Sequence, residues 1–119
     1  GRIFVGDRGN NRVQIFDQDG NFIKEWPQFG RPSGLFIDDN DMLYVTDSSS
    51  ENRGPTGSPN NSSPYAEGIR VASVKDGSVT IFLDDPHENG SQEGIVVDKA
   101  GTIYGSLTAG RALRKYLLR

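Results

Sequence analysis

Apolar and polar side chains alternate along several short stretches of this chain, for example residues 13–16 and 78–83. Alternation with a period of two is typical of β-strands, because successive side chains of a strand point to opposite faces. The sustained 3.6-residue spacing of an amphipathic helix is absent from the sequence. Asp19-Gly20 and Asp76-Gly77 lie between alternating runs and predict two-residue hairpin turns, which need a positive φ. The pattern therefore predicts an all-β chain of many short strands.

The strand-like segments also recur at regular intervals. Three of them align with one another: residues 2–7, 42–47 and 102–107. The first two begin 40 residues apart and the last two begin 60 apart. The longer interval contains residues 48–66, a polar stretch rich in Gly, Pro, Ser and Asn that is typical of an inserted loop. An arginine follows each aligned segment, and we expect these three to be equivalent: Arg12, Arg70 and Arg111.

A second pair of matching segments, residues 32–38 and 92–98, supports the same period. A period near 40 residues with about four short strands in each unit is the signature of a β-propeller blade. We therefore predict an all-β fragment of a β-propeller with about two to three four-stranded antiparallel blades. Its expected units are a partial blade, a complete blade with the 48–66 insertion, and a partial C-terminal blade: residues 1–30, 31–91 and 92–119.

Residues 7–20, DRGNNRVQIFDQDG, resemble the most recognisable stretch of NHL repeats. Pro32-Ser33-Gly34, followed by Asp38, is similar to the opening of the next repeat. The third unit departs from the family pattern, because Leu107 stands where the repeat has Asp. The last nine residues, 111–119, resemble the final strand of secreted bacterial NHL propellers.

This resemblance implies the C-terminal part of a six-bladed protein in a secreted or periplasmic location. It also implies that the missing outer strand of the last blade comes from the other end of the complete chain. The NHL family includes a peptide-amidating lyase and streptogramin lyase, as well as modules that bind proteins or RNA. The resemblance therefore leaves both an enzyme and a binding module open.

Composition narrows the choice of partners. The chain has 119 residues, a net charge of −3 and no cysteine. Without a basic surplus to neutralise phosphates, nucleic acid is not an expected partner. The sequence contains no apolar run long enough to span a membrane. Because strand-like sequence begins at once after Gly1, we expect further sequence upstream of it.

An open arc of two to three blades would leave the apolar faces at its two ends uncovered. A few hundred Å² of such surface, at about 25 cal/mol per Å², is worth on the order of 10 kcal/mol. This equals the net stability of a typical domain. We therefore expect either self-association in a head-to-tail manner, giving a homo-oligomer, or contact with the missing blades of a parent propeller.

Candidate metal ligands are few. His87 is the only histidine, and a catalytic zinc site usually has three protein ligands. Asp7 and Asp47 end equivalent strands and could together bind Ca²⁺, or each could cap the turn that follows it. The recurrent arginines could pair with these aspartates and fix the strand register. The sequence identifies no cofactor with certainty, and Ca²⁺ and Zn²⁺ are the candidate metal ions.

The 48–66 insertion is the most individual feature of the sequence, and loops on a rigid scaffold often carry function. Within it and in the 84–92 loop, we select Arg53, Tyr65, His87 and Glu88 as candidate ligand-binding residues. The preferred interpretation is a non-catalytic module that binds a protein or a small molecule through these loops. The alternative is a fragment of a metal-dependent lyase or lactonase-like propeller enzyme.

Overall fold

The computed structural model describes residues 1–50, 64–86 and 90–118. Within these ranges the chain forms ten β-strands: β1 (Arg2–Asp7), β2 (Arg12–Asp17), β3 (Phe22–Trp26), β4 (Pro32–Ile37), β5 (Met42–Asp47), β6 (Gly68–Ser73), β7 (Val79–Asp84), β8 (Gln92–Val97), β9 (Ile103–Leu107) and β10 (Leu113–Tyr116). One helical element accompanies them in the described residues, a 3₁₀ turn at Arg8–Asn10 that the alternation did not predict. None of the helical structure seen in the described residues could cross a membrane.

The strands form three antiparallel sheets in chain order. The first sheet contains β1, β2 and β3, the second contains β4 to β7, and the third contains β8, β9 and β10. Every pairing joins strands that follow one another along the chain. The prediction of an all-β fold with antiparallel sheets is therefore confirmed.

Two hydrophobic cores lie between successive sheets. The first joins the first and second sheets and contains Val13, Ile15, Trp26, Phe29, Leu43, Val45, Ala72 and Val74. The second joins the second and third sheets and contains Tyr44, Ile69, Val71, Val97 and Ile103. Neighbouring residues of β5 alternate between these cores, since Leu43 and Val45 enter the first while Tyr44 enters the second. The second sheet is thus covered on both faces, which is why most of β5 is buried.

The strand registers define which positions of the three sheets are equivalent. The three aligned segments have one position in common that is paired in every sheet, occupied by Gly6, Thr46 and Ser106. Each of these residues faces one residue on the strand that follows. Their partners are Val13, Ile69 and Leu113. By the same registers Arg70 is equivalent to Arg114, not to Arg12.

The expected equivalence of Arg12, Arg70 and Arg111 is therefore wrong. Arg12 faces Asp7 directly, whereas Arg70 faces Val45, two residues before Asp47. Arg111 precedes β10 and lies outside the paired register. The sequence alignment erred because the connections that precede β2, β6 and β10 differ in length.

The hairpin turns are wider than predicted. In the first sheet Phe16 pairs with Phe22, and the amide of Asp17 donates to the carbonyl of Asn21 at 2.9 Å. Only Gly20 of the Asp19-Gly20 pair has a positive φ, 85°. The strand pairing also shifts register between Ile15 and Phe16, so a β-bulge interrupts the pairing next to the turn. The second hairpin is one residue longer, since the amide of Ser73 donates to the carbonyl of Ser78 at 3.2 Å. It too has a register shift before Ala72 and a glycine with a positive φ, Gly77 at 72°.

The outer faces of the first and third sheets expose apolar side chains at positions that are buried in the middle of the molecule. Leu113 is 71% exposed, whereas its equivalents Val13 and Ile69 are fully buried. On the opposite side Ile3 is 45% exposed, while its equivalent Leu43 is fully buried. Where two sheets of this chain meet, one sheet contributes the face of Leu43 and the other the face of Val13. The outer face of the first sheet corresponds to the former, and the outer face of the third sheet corresponds to the latter.

Candidate binding surface

One end of the three sheets carries the long connections. The registers place Pro32, Asp47, Gly68 and Asp84 in one row across the second sheet. Residues 48–67 and the connection after β7 both leave from this row. We call this side the loop end and the opposite side, with the short turns that follow β4 and β8, the turn end.

Asp47 organises the start of the insertion. Its Oδ1 accepts hydrogen bonds from the amides of Ser49, at 3.2 Å, and Ser50, at 2.9 Å. Its Oδ2 accepts from the amide of Arg31 at 3.2 Å and from the hydroxyl of Ser50. The side chain is fully buried, and it caps the turn that follows β5. This is the structural role that the sequence left open beside cation binding.

Arg70 lies behind Asp47, with 3.7 Å between its Nη1 and the Oδ2 of Asp47. Its guanidinium carbon is 5.1 Å from the ring centre of Tyr65 and 4.7 Å from that of Phe82. Its Nη2 donates to the carbonyl of Ala66 at 2.8 Å. Burial lowers the pKa of Arg70, while the charge of Asp47 opposes that shift. The candidate residue Tyr65 is therefore in contact with this arginine, which fixes the end of the insertion.

Two arginines from different parts of the chain meet at the first residues of the insertion. Arg8 Nε and Arg31 Nε both donate to the hydroxyl of Ser49, at 3.2 and 3.1 Å. Arg8 also forms an ion pair with Glu93 of the third sheet, with 3.5 Å between Arg8 Nη1 and Glu93 Oε1. The loop end is thus connected across all three sheets by polar contacts.

Asp7 lies in a more open environment at the end of β1. Its carboxylate accepts from the side-chain amide of Asn10, at 2.9 and 3.0 Å, and from Arg12 Nε at 2.9 Å. The hydrogen bond from Asn10 is the main cause that lowers its pKa, and Arg12 adds to it. Arg12 also pairs with Glu25 at 2.6 Å. The expected pairing of a recurrent arginine with an aspartate therefore holds for Arg12 with Asp7 and for Arg70 with Asp47.

No group of three potential His, Cys, Asp or Glu ligands converges within the residues that the structure describes. Asp7 and Asp47 as ligands of Ca²⁺ stay a prediction. Arg53, His87 and Glu88 lie outside the described residues, so their roles stay predictions as well.

A groove lies at the turn end, between the second and third sheets. It encloses about 370 Å³ and is lined by residues 36–40, 97–99 and Gly101. Two turns of matching geometry form its walls. Asp38 Oδ1 accepts from the amides of Asn40 and Met42, and Asp98 Oδ1 accepts from those of Ala100 and Thr102. Because the groove needs two sheets packed side by side, it has no signal within the sequence of one repeat.

Comparison with known proteins gives one short similarity and no matching family model. A stretch of 25 residues is 72% identical to protein lin-41 of Caenorhabditis elegans, an NHL-repeat protein. The match covers 21% of this chain and 2% of the length of lin-41. It supports the NHL-type repeat that the sequence predicted, while the narrower resemblance to bacterial propellers stays a prediction.

Proposed function

We propose that this chain is a non-catalytic binding module, formed by three successive sheets of an NHL-type β-propeller, whose ligand surface is the loop end. The observation that carries the proposal is the anchoring of the insertion at both of its ends. Ser49 is bound by Arg8 and Arg31, and Tyr65 packs on Arg70. A long connection held at both ends on a stack of sheets is well placed to present side chains to a partner.

The proposal includes further sheets on the two outer faces. The exposed side chains Ile3 and Leu113 occupy positions that are buried wherever two sheets of this chain meet. A sheet of the same repeat has the complementary face for each of them. Copies of this chain, joined head to tail, or the remaining blades of a parent propeller would supply such sheets.

The chemistry of the loop end favours a protein or small-molecule ligand. Asp47 and Arg70 are buried, form an ion pair at 3.7 Å, and each hydrogen-bonds the backbone around it. They therefore hold the scaffold, and recognition falls to the loops that leave it. With a net charge of −3, the chain has no surplus of positive charge for a polyanionic ligand.

A peptide library displayed on phage tests the binding function. The full chain is compared with a variant in which residues 51–63 are replaced by a short Gly-Ser linker, and with Asp19→Asn, a change at the turn end. We expect peptides enriched on the full chain to bind Asp19→Asn equally well and to lose binding to the loop-replaced variant. Absence of enrichment, or equal binding to all three proteins, would contradict the proposed ligand surface.

A further inference from the structure

The groove at the turn end is lined by both apolar and negatively charged side chains. Phe36, Ile37 and Val97 supply the apolar surface. Asp38, Asp39 and Asp98 also line it, together with Lys99, the one cationic residue among the lining residues. The lining therefore carries more negative than positive charge.

The three aspartates are not equally available to a ligand. Asp38 Oδ2 accepts from the hydroxyl of Tyr44 at 3.0 Å, and Asp98 Oδ2 accepts from that of Tyr104 at 3.1 Å. Because their Oδ1 atoms accept backbone amides, these two carboxylates are committed to the turns. Asp39 is exposed and, within the described part of the chain, accepts no hydrogen bond. Asp39 is therefore the carboxylate that an incoming cation can contact directly.

The strands beside the groove offer backbone groups as well. β4 and β8 each stand at the edge of their sheet, since β4 pairs only with β5 and β8 only with β9. An edge strand presents unpaired amides and carbonyls that can bind the main chain of a peptide. Apolar surface, a free carboxylate and strand edges thus meet in one place.

We propose that the turn-end groove binds the side chain of an arginine residue on a partner peptide. The aliphatic part of the side chain lies along Phe36, Ile37 and Val97, and the guanidinium group reaches Asp39. Long cationic side chains combine an apolar stem with a charged head, which matches a lining that is partly apolar and partly acidic. The proposal concerns the end of the molecule opposite the loops, so it stands or falls separately from the proposed ligand surface.

Amide chemical-shift titration of the full chain tests this inference with two small probes. N-acetyl-arginine amide carries the cation, and N-acetyl-citrulline amide has nearly the same shape without the charge. We expect saturable shifts at Asp39, Asn40, Lys99 and Gly101 with the arginine probe and none with the citrulline probe at the same concentrations. Equal shifts with both probes, shifts confined to other regions, or no shifts at all would overturn the proposal.

Three variants with opposite expectations sharpen the test. Asp39→Asn should weaken binding of the arginine probe about two- to fivefold, the effect of one exposed charge pair. Lys99→Gln should strengthen binding, because it removes the cation that repels the probe. Asp19→Asn lies on the turn of the first sheet, makes the same change in net charge and should leave the affinity unchanged. If Asp39→Asn and Asp19→Asn have the same effect, the groove is not the binding site.

Discussion

Arg114 on β10 pairs with Asp85 in the connection after β7, and 2.9 Å separates its Nη1 from the Oδ1 of the carboxylate. Asp85 also accepts the amide of Gln92 at 3.1 Å and is fully buried. In the second sheet the equivalent arginine is Arg70, and its partner is Asp47 at the end of β5. The corresponding position in the third sheet is Leu107. A carboxylate from the preceding connection therefore replaces the one that the repeat lacks.

Replacing Asp85 should destabilise the chain more than replacing an exposed aspartate. Asp85→Ala leaves Arg114 largely buried without its carboxylate, and we expect the free energy of unfolding to fall by about 3 kcal/mol. Denaturant unfolding followed by tryptophan fluorescence measures this change. Asp7→Ala, which breaks a much more exposed pair with Arg12, is the matched control. It should lower the free energy of unfolding far less than Asp85→Ala does.

A second substitution tests whether Asp85 substitutes for the carboxylate missing at position 107. Leu107→Asp places an aspartate where the second sheet has Asp47, within reach of the arginine two positions along the facing strand. We expect it to restore part of the stability lost in Asp85→Ala. If Leu107→Asp destabilises the Asp85→Ala variant further, the two carboxylates are not equivalent.

The strands and their faces could be predicted from the sequence because each repeat carries its own alternation and its own turns. Leu43, Val45 and Tyr44 show this, since their alternation along β5 matches the two cores that they enter. The pairing of Asp85 with Arg114 could not be predicted in this way, because the carboxylate comes from a connection outside the repeat. The signal in the sequence is Leu107, which stands where the repeat has Asp. It indicates that the arginine of this unit needs a carboxylate from elsewhere in the chain.

The wider turns and the arginine register were missed because neither shows in the apolar pattern of a strand. The turns depend on how many residues join two strands and on register shifts such as the one between Ile15 and Phe16. The arginine register depends on the lengths of the connections that precede β2, β6 and β10, which carry no alternation. The turn-end groove was missed because it lies between residues of two different units, Phe36 and Val97.

At Gly34 the second sheet lies close to the backbone of the third sheet, and replacing this glycine should separate the two sheets. A Cβ atom at this position would lie 2.5 Å from the carbonyl oxygen of Glu93 and 3.3 Å from the Cα of Gly94. Because both neighbours are backbone atoms, we expect Gly34→Ala to lower the free energy of unfolding by about 1–3 kcal/mol. Gly9→Ala is the control, since a Cβ there meets no atom within 4 Å. Equal stability of the two variants would contradict the packing described here.

Tyr44 should make the stability of the chain sensitive to high pH. Burial raises the pKa of Tyr44 to about 12 from 10.0, and its hydrogen bond to Asp38 acts in the same direction. Since the folded state holds this proton more tightly than the unfolded state, the stabilisation is complete below pH 10 and falls as the pH rises towards 12.

Denaturant unfolding across this pH range, together with ultraviolet titration of the tyrosines, measures the effect. Tyr44→Phe should be less stable at neutral pH, by about 1 kcal/mol for the lost hydrogen bond, and should show a smaller loss at high pH. Tyr104, whose pKa is raised chiefly by its hydrogen bond to Asp98, accounts for part of the remaining dependence. A normal titration of every tyrosine in the folded chain would contradict the burial of Tyr44.

The outer faces provide a pair of substitutions at equivalent positions with opposite consequences. Ile69→Glu puts a charge into the core between the second and third sheets and should unfold the chain. Leu113→Glu makes the same change on the outer face and should leave the folded sheets intact. Circular dichroism and cooperative thermal unfolding distinguish the two outcomes. If Leu113→Glu also unfolds the chain, Leu113 makes contacts that its equivalence to Ile69 does not describe.

The mass of the chain in solution, measured by light scattering over a dilution series, tests the central claim most directly. If the outer faces are two halves of the interface between sheets, the purified chain should associate reversibly in a concentration-dependent manner. Leu113→Glu should shift it to the monomer. A wild-type chain that remains a well-folded monomer at all concentrations, with no dye binding to exposed apolar surface, would contradict the account.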